Sequence, residues 1–465
     1  MDTATTPDRS FAQTQFGGMR LGDKRLDRRL VESVDQLVRT SEVSLPDKFH
    51  DPKGYRGFLR LMADPRVTAD RLLTHHAGVV RERLRKRTAP VLIVHDTTEL
   101  DYSGHVALTG IGPIGNGRGR GFECHNSLAI DPDTREIFGL LSQILHVRPE
   151  SAALPKGVAA KRADPHRESR LWQRGVETCG PDPVGTHWVH VCDRGADLFE
   201  FLAYMRGKGL HFVVRSTHNR VLEVDEDDGG PPLLHDRLRT VPAQACWRVS
   251  VPARDKCPAR EAKVQVRFAT VHLKPPHVQR GEYERKSLRV GAVLVEEIDP
   301  PAGAEAVEWV LLTEGTLETT ADAVRAVDWY KVRWVVEEYH KGQKTGAGIE
   351  ALQIESVHSL KPAIALLSVV AIVLVNLRVL YRDETTREEP AKRWVDPLWI
   401  VVLSRWRFQD ERELTVGEFT LALARLGGHQ NRKSDGAPGW LTLWRGWKKL
   451  HIMIEYELST PRCGQ

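Results

Sequence analysis

From Leu26 to Val38 the apolar residues recur at Leu26, Leu30, Val34 and Leu37/Val38. That spacing predicts an amphipathic helix whose outer face carries Arg25, Arg28 and Arg29. A second helix is expected from about Lys53 to Met62. Asp64-Pro65 interrupts the pattern, and a third helix starts near Thr68, a standard capping residue. At Pro90 the period changes. Val91-Leu92-Ile93-Val94 reads as a short strand ending in His95-Asp96-Thr97-Thr98. Strands follow at Glu123–Ile130 and Ile137–Val147, joined by an Asp131-Pro132-Asp133 turn. A polar helix from Pro165 to Cys179, a strand Trp188–Cys192 running into Asp193, a helix through Phe199–Met205 and a strand His211–Arg215 complete this stretch.

The order strand, strand, strand, helix, strand, helix is that of a ribonuclease-H-like α/β core, an order shared with other α/β folds. Residues 216–306 turn strand-rich, with an acidic turn at Asp225–Asp228 and strands at Trp247–Val251, Lys263–Leu273 and Leu288–Glu297. They read as a β insertion, after which the core resumes at Trp309-Val310-Leu311-Leu312. Helices dominate from Thr320. The apolar run Pro362–Val375 is shorter than the roughly 20 residues that span a bilayer and reads as a buried helix. A polar linker, Arg382–Arg393, leads into a Trp-rich helical tail. The expected organisation is therefore a helical domain over residues 1–70, an α/β domain over 71–382 with its β insertion, and a helical domain over 383–465.

Composition adds little to the fold and something to the partners. The chain has 465 residues, 41% hydrophobic and 28% charged, as in ordinary multidomain globular proteins. Its net charge of +5 is unevenly spread: Lys53 to Arg87 holds ten Lys or Arg against three acids. Such a patch suits a polyanion, and equally a solvated helical surface. The six cysteines, Cys124, Cys179, Cys192, Cys246, Cys257 and Cys463, lack paired metal spacing and fit a reducing cytoplasm. The opening MDTATTPDRS has no signal-peptide pattern.

The segment Tyr330 to Lys344 carries the most chemistry. On a continuous helix at about 100° per residue, Tyr330, Arg333, Glu337 and Lys344 fall within about 60° of one another. Val332, Val335, Val336 and Tyr339 take the opposite, core-facing side. One carboxylate thus sits among two cations and a phenol, which by itself is also what a salt-bridged surface helix looks like.

The pattern Tyr-x2-Arg-x3-Glu-x6-Lys resembles the signature of the insertion-sequence-four family of DDE transposases, in particular the Tn-five type. Leu21-Gly22-Asp23, Asp96-Thr97-Thr98, Cys192-Asp193-Arg194, Phe212-Val213-Val214-Arg215-Ser216 and Ala424-Arg425-Leu426-Gly427-Gly428 resemble segments occurring there in the same order. The resemblance implies a ribonuclease-H-like catalytic core with a β-rich insertion, flanked by helical N- and C-terminal domains. It implies that Asp96, Asp193 and Glu337 hold two Mg²⁺ ions, for which Mn²⁺ can substitute. Carboxylates suit such hard cations, and both aspartates are expected at strand ends. Glu99, Asp101, Asp197 and Glu338 are neighbouring acids that could stand in their place.

The resemblance further implies that Arg333, Lys344 and Arg215 bind DNA phosphates, that Tyr330 donates a phenolic hydrogen bond, and that Trp309 stacks on a flipped base. Read as residues alone, a Trp in a strand belongs to a core. Arg25, Arg28, Lys53, Arg56 and Arg60 would contact the transposon end, and the helices bearing Leu443, Trp444, Trp447 and Leu450 would form the contact of a homodimer or, alternatively, an internal core. The implied partners are double-stranded DNA, namely terminal inverted repeats and target. The implied activity is cut-and-paste transposition: nicking, hairpin formation and resolution, then strand transfer. Gly110–Gly121, with Arg118 and Arg120, is not a P-loop and is expected to be a DNA-facing loop. Departures from the family lie at Gly195 and at Gly121-Phe122-Glu123. A DNA-binding derivative without cleavage, or a structure-specific nuclease, are the rival functions.

Overall fold

The computed structural model describes residues 10–40, 44–49, 51–150, 160, 164, 166–224, 229–251, 258–277, 283–315, 317–432 and 435–459. The acidic turn Asp225–Asp228, Pro165, Cys257, Cys463 and the first nine residues lie outside them. The chain divides into two compact units. One comprises Thr88–Asp96 and Ser151–Trp334; the other comprises Met1–Arg87, Thr97–Glu150 and Val335–Gln465.

The first unit is built on a mixed sheet. The opening half of β1 (Val91–Asp101) pairs in parallel with β5 (Trp188–Cys192), which pairs in parallel with β6 (His211–Ser216). Beyond β6 the pairing becomes antiparallel through β10 (Glu308–Thr313), β9 (Leu288–Glu297), β8 (Arg260–Leu273) and β7 (Ala245–Val251). The strands of the 216–306 stretch thus extend the same sheet. That stretch also contains a helix that alternation did not predict, Leu234–Thr240, whose Leu234 and Leu238 are fully buried.

Strand period explains the layers. Cys192, Phe212, Val214, Val310 and Leu312 point to one face, where they form a core with Trp172, Val176, Phe201, Leu202, Leu234 and Leu238 from the helices Leu171–Cys179, Phe199–Gly207 and Leu234–Thr240. The opposite face carries Val191, Val213, Leu311 and Trp309 and is covered by the helix Thr320–Val332. A capping box between Thr319 and Asp322 starts that helix.

The second unit contains the N-terminal helices, numbered α1 (Phe11–Phe16), α2 (Lys24–Arg39), α3 (Leu45–Lys48), α4 (Pro52–Ala63) and α5 (Ala69–Leu84). Their starts follow from side-chain caps: Asp23, Asp51 and Thr68 each accept a backbone N–H of the first turn. With them stand the closing half of β1, β2 (Gly112–Ile114), β3 (Gly119–Ile130) and β4 (Ile137–His146). Gly121 lets β3 approach closely, because a Cβ there would lie 1.8 Å from the Leu100 carbonyl oxygen.

The helix Val357–Arg382 packs against α2, α4, α5 and β4. It is long and apolar enough to cross a membrane, yet 83% of its most apolar window is buried inside protein. The last two long helices are Val416–Leu426 and Trp440–Ser459. Leu443, Trp444, Trp447 and Leu450 of the latter are buried, and the Trp447 indole donates to the Val38 carbonyl at 2.6 Å. This corrects the expected dimer contact at these four residues: they fill the chain's own core.

Candidate functional site

The register of the parallel pair sets the acids. Val94 lies opposite Val191 and His95 opposite Cys192, so Asp96 and Asp193 are the next residues on adjacent strands. Neighbouring strands run about 4.8 Å apart, which brings the two carboxylates to one edge. Asp193 lies just past the end of β5, as expected, and accepts a hydrogen bond from the Gly195 backbone at 2.7 Å. Gly195 is packed against Trp172: a Cβ there would come within 2.8 Å of its ring, so the glycine that departs from the family pattern fits this turn. Asp96 is not at a strand end, because β1 continues to Asp101. The expectation failed because Thr97 and Thr98 are as compatible with a strand as the valines before them.

Alternation along β1 carries Asp96 to the face of Val94, the face covered by the Thr320–Val332 helix. Arg333, at the end of that helix, donates to Asp96 Oδ2 at 3.3 Å. Its guanidinium also lies 5.9 Å from the Tyr330 ring centre. Tyr330 in turn meets Trp309 edge to face, with ring centres 5.8 Å apart. Tyr330 is buried and Trp309 half-buried. Arg215, opposite Leu311 in the β6–β10 register, donates to the Glu308 carbonyl at 3.1 Å. Asp96, Arg333, Tyr330, Trp309 and Arg215 therefore belong to one side of this sheet.

Under the acids, on the opposite side, His95 Nε2 and His190 Nδ1 lie 2.8 Å apart and buried. Burial, and then the charge of His211, lowers His190 to about 3. Burial, then Asp193 and Asp96, pushes the Cys192 thiol well above its usual range. This His–His–Cys layer had no signal in the periodicity, since its polar members sit in strand positions otherwise filled by Val and Ile.

The rival acids have other duties. Asp197 is 1% exposed and accepts from Ser216, from the backbone N–H groups of Thr217 and His218, and from Arg220 through two nitrogens. Burial alone would raise its carboxyl, but Arg220 and these donors outweigh it and hold the group below the usual range. In the other unit Glu338 is buried and ion-paired with Arg378, Lys341 and Arg382. Glu99 caps Gly115, and Asp101 binds Ser103.

Glu337 is exposed on the helix Trp334–Lys341 of that unit. The single continuous helix expected from Tyr330 to Lys344 is corrected. The first helix ends at Val332, where the Arg333 N–H bonds back three residues to Tyr330, and Gly342–Gly346 widens into a π-helical turn closed by Ala347 N–H to Gly342 O at 2.7 Å. Lys344 projects from that turn and pairs with Glu350 at 3.6 Å. A buried polar network missed by pattern reading anchors it. Asn126 reaches His340 Nε2 at 3.2 Å and Gln343 at 3.3 Å, and Gln143 and Gln343 both donate to Ser368 at 2.9 Å.

The N-terminal cations form a surface of their own. Arg25, Arg28 and Arg29 on α2 and Lys53, Arg56 and Arg60 on α4 lie on the outer faces of their helices, partly or fully exposed. The Arg29 guanidinium lies so close over Gly57 that a Cβ there would be 1.9 Å from it, which brings the two basic faces side by side.

A divalent cation fits the chemistry of the Asp96–Asp193 pair, two hard oxygen donors with like charge at one sheet edge. Among the described residues, no group of three or more His, Cys, Asp or Glu could hold a metal ion.

Two family models match the chain. One, described as transposase DNA-binding, matches residues 8–67 and so includes the basic faces of α2 and α4. The other, the transposase DDE domain, matches residues 158–374, which include Asp193 and Glu337 but not Asp96. A DDE domain implies a ribonuclease-H-like fold and the use of divalent metal ions. With a DNA-binding region ahead of a DDE domain, the chain belongs to the DDE transposases, enzymes of metal-dependent phosphoryl transfer on DNA.

Proposed function

We propose that this chain is a cut-and-paste transposase of the insertion-sequence-four family, of the Tn-five type, with Asp96, Asp193 and Glu337 as its metal-binding acids. The observation that carries the reading is the register of β1 and β5, which leaves Asp96 and Asp193 adjacent while Asp197, the alternative aspartate, is consumed by Arg220. Glu337 enters through its Tyr-x2-Arg-x3-Glu-x6-Lys motif and its exposure, in contrast to the buried Glu338 beside it.

In this reading two Mg²⁺ ions, replaceable by Mn²⁺, supply Lewis acidity to the attacking and leaving oxygens. The protein orients the DNA around them. Arg333, Arg215 and Lys344 hold backbone phosphates, for which the guanidinium fork is well shaped. Trp309, edge-on to Tyr330 and half-buried, offers a ring for a base turned out of the duplex, and Tyr330 supports that ring from the core. Residues 1–70 grip the terminal inverted repeats through Arg25, Arg28, Lys53, Arg56 and Arg60. Residues 71–382 carry the chemistry, and residues 383–465 form a C-terminal helical domain in a DNA-bound homodimer.

The test uses purified full-length protein, Mg²⁺ and a fragment flanked by the inverted repeats found beside the gene. Release of the fragment with hairpin ends is expected. Binding of the repeats without strand cleavage would instead mark a DNA-binding derivative, and cleavage indifferent to the repeats would mark a nuclease.

A further inference from the structure

We propose that Arg333 is a latch on the metal site: it neutralises Asp96 in the free protein and gives it up when a DNA phosphate takes the guanidinium. This deepens the functional reading and rests on Asp96 being a metal ligand.

Two aspartates on adjacent strands repel each other, and in the absence of a divalent ion they need a cation. Arg333 supplies one. Its Nη1 reaches Asp96 Oδ2, with the two side chains only 18% and 15% exposed. The contact is 3.3 Å, longer than the roughly 2.7–2.9 Å of a strong charge-assisted hydrogen bond.

The guanidinium has a second seat, because it lies 5.9 Å from the centre of the Tyr330 ring, which is held in place by Trp309. Arg333 is also the residue at which the helix breaks, where its N–H bonds to Tyr330 rather than to the residue four back. The nearest cation in sequence cannot replace it, since Lys331 is paired with Asp328 at 2.9 Å and lies against Trp247.

A phosphate binds a guanidinium in the same forked manner as a carboxylate. Bound DNA therefore competes with Asp96 for Arg333, and each phosphate captured leaves one carboxylate able to hold a divalent ion. Metal affinity and DNA occupancy become linked, and by reciprocity the metal tightens DNA binding by the same factor.

The experiment measures Mn²⁺ binding to the full chain by the electron paramagnetic resonance of free Mn²⁺, with and without saturating duplex DNA. Removing one positive charge from beside a divalent ion should change its affinity by at least about tenfold, the water-screened lower limit for charges about 5 Å apart. Arg333→Gln without DNA should therefore bind Mn²⁺ at least about tenfold more tightly than the unmodified chain. Arg333→Lys, which keeps a cation there and guards against a general effect of substitution, should stay within about twofold. DNA should tighten Mn²⁺ binding in the unmodified chain and add little in Arg333→Gln. If Asp96→Asn weakens Mn²⁺ binding while Arg333→Gln leaves it unchanged, the latch is wrong and the metal site stands. If Asp96→Asn has no effect, the assignment of Asp96 itself fails.

Discussion

Two aspartates four residues apart, Asp193 and Asp197, follow the same strand, and their substitution should separate catalysis from stability. Asp197 is buried against Arg220, whose side chain is 12% exposed, and it also accepts from Ser216 and two backbone N–H groups. Asp197→Ala leaves the Arg220 cation without its partner and two amides without an acceptor. Breaking a buried ion pair costs about 3–5 kcal/mol, and each orphaned buried donor adds about 1–3 kcal/mol. A loss of at least about 4 kcal/mol in urea unfolding is expected. Asp193→Asn removes a charge from a half-exposed position whose structural duty is one cap to Gly195, and asparagine caps about as well as aspartate. Its stability should change by less than about 0.5 kcal/mol, while Mg²⁺-dependent strand cleavage falls by about 10²–10³-fold, the scale of losing one transition-state electrostatic contact. The paired measurement is an unfolding curve and a cleavage rate at saturating DNA. An Asp197→Ala protein that stays fully stable but inactive, or an Asp193→Asn protein that unfolds, would overturn this division of roles.

Three further outcomes follow from the geometry. Gly427 and Gly446 let two C-terminal helices touch backbone to backbone, since a Cβ on either would lie 1.9 Å from a carbonyl oxygen of the other helix; Gly446→Ala should cost about 1–3 kcal/mol by calorimetry, and adding Gly427→Ala should cost much less than a second such step. His76, His190 and His451 are each lowered to about 3, with burial as the main cause, whereas the unfolded chain titrates at the ordinary value, so stability is full above about pH 6.5 and falls as pH drops toward 3; between pH 7.5 and 5.5 each should remove about 1.4 kcal/mol, and urea midpoints that do not move in that window would contradict this. Lys53→Ala, Arg56→Ala and Arg60→Ala together should lower the slope of log affinity against log salt by about 0.9 for each DNA phosphate that these cations neutralise, whereas an altered preference among end sequences would mean that they read bases.

Elements whose period matched their burial were readable from the sequence. The strand Trp188–Cys192 has the predicted bounds, and the amphipathic stretch from Leu26 to Val38 lies inside α2, with Leu30, Val34, Leu37 and Val38 buried. A period reports which residues face a core, and says nothing of which core. Leu443, Trp444, Trp447 and Leu450 were visible as an apolar face, but only the Trp447 hydrogen bond to Val38, far away in sequence, shows that the chain covers that face itself. The buried network of Asn126, Gln143, Gln343 and Ser368 was invisible for a related reason: polar residues satisfied by each other across four segments leave no trace in any one of them.

The acid assignments show where chemistry becomes legible and where it does not. Spacing could not choose between Asp193 and Asp197, since both follow the same strand and acids in that position usually cap helices. The choice depends on Arg220, which reaches back to Asp197 from the far side of β6 and draws it into the core. The same holds for Glu337 and Glu338, where Arg378, Lys341 and Arg382 gather around the second of two adjacent glutamates. In both pairs cations of the fold bury one acid, while its neighbour keeps more of its surface exposed. An acid near a catalytic motif is thus best judged by whether the fold has already given it a cation. By that criterion Asp96, paired with Arg333 but less enclosed than Asp197, is intermediate between the structural acids and Asp193, which is the property that a ligand released on DNA binding would need.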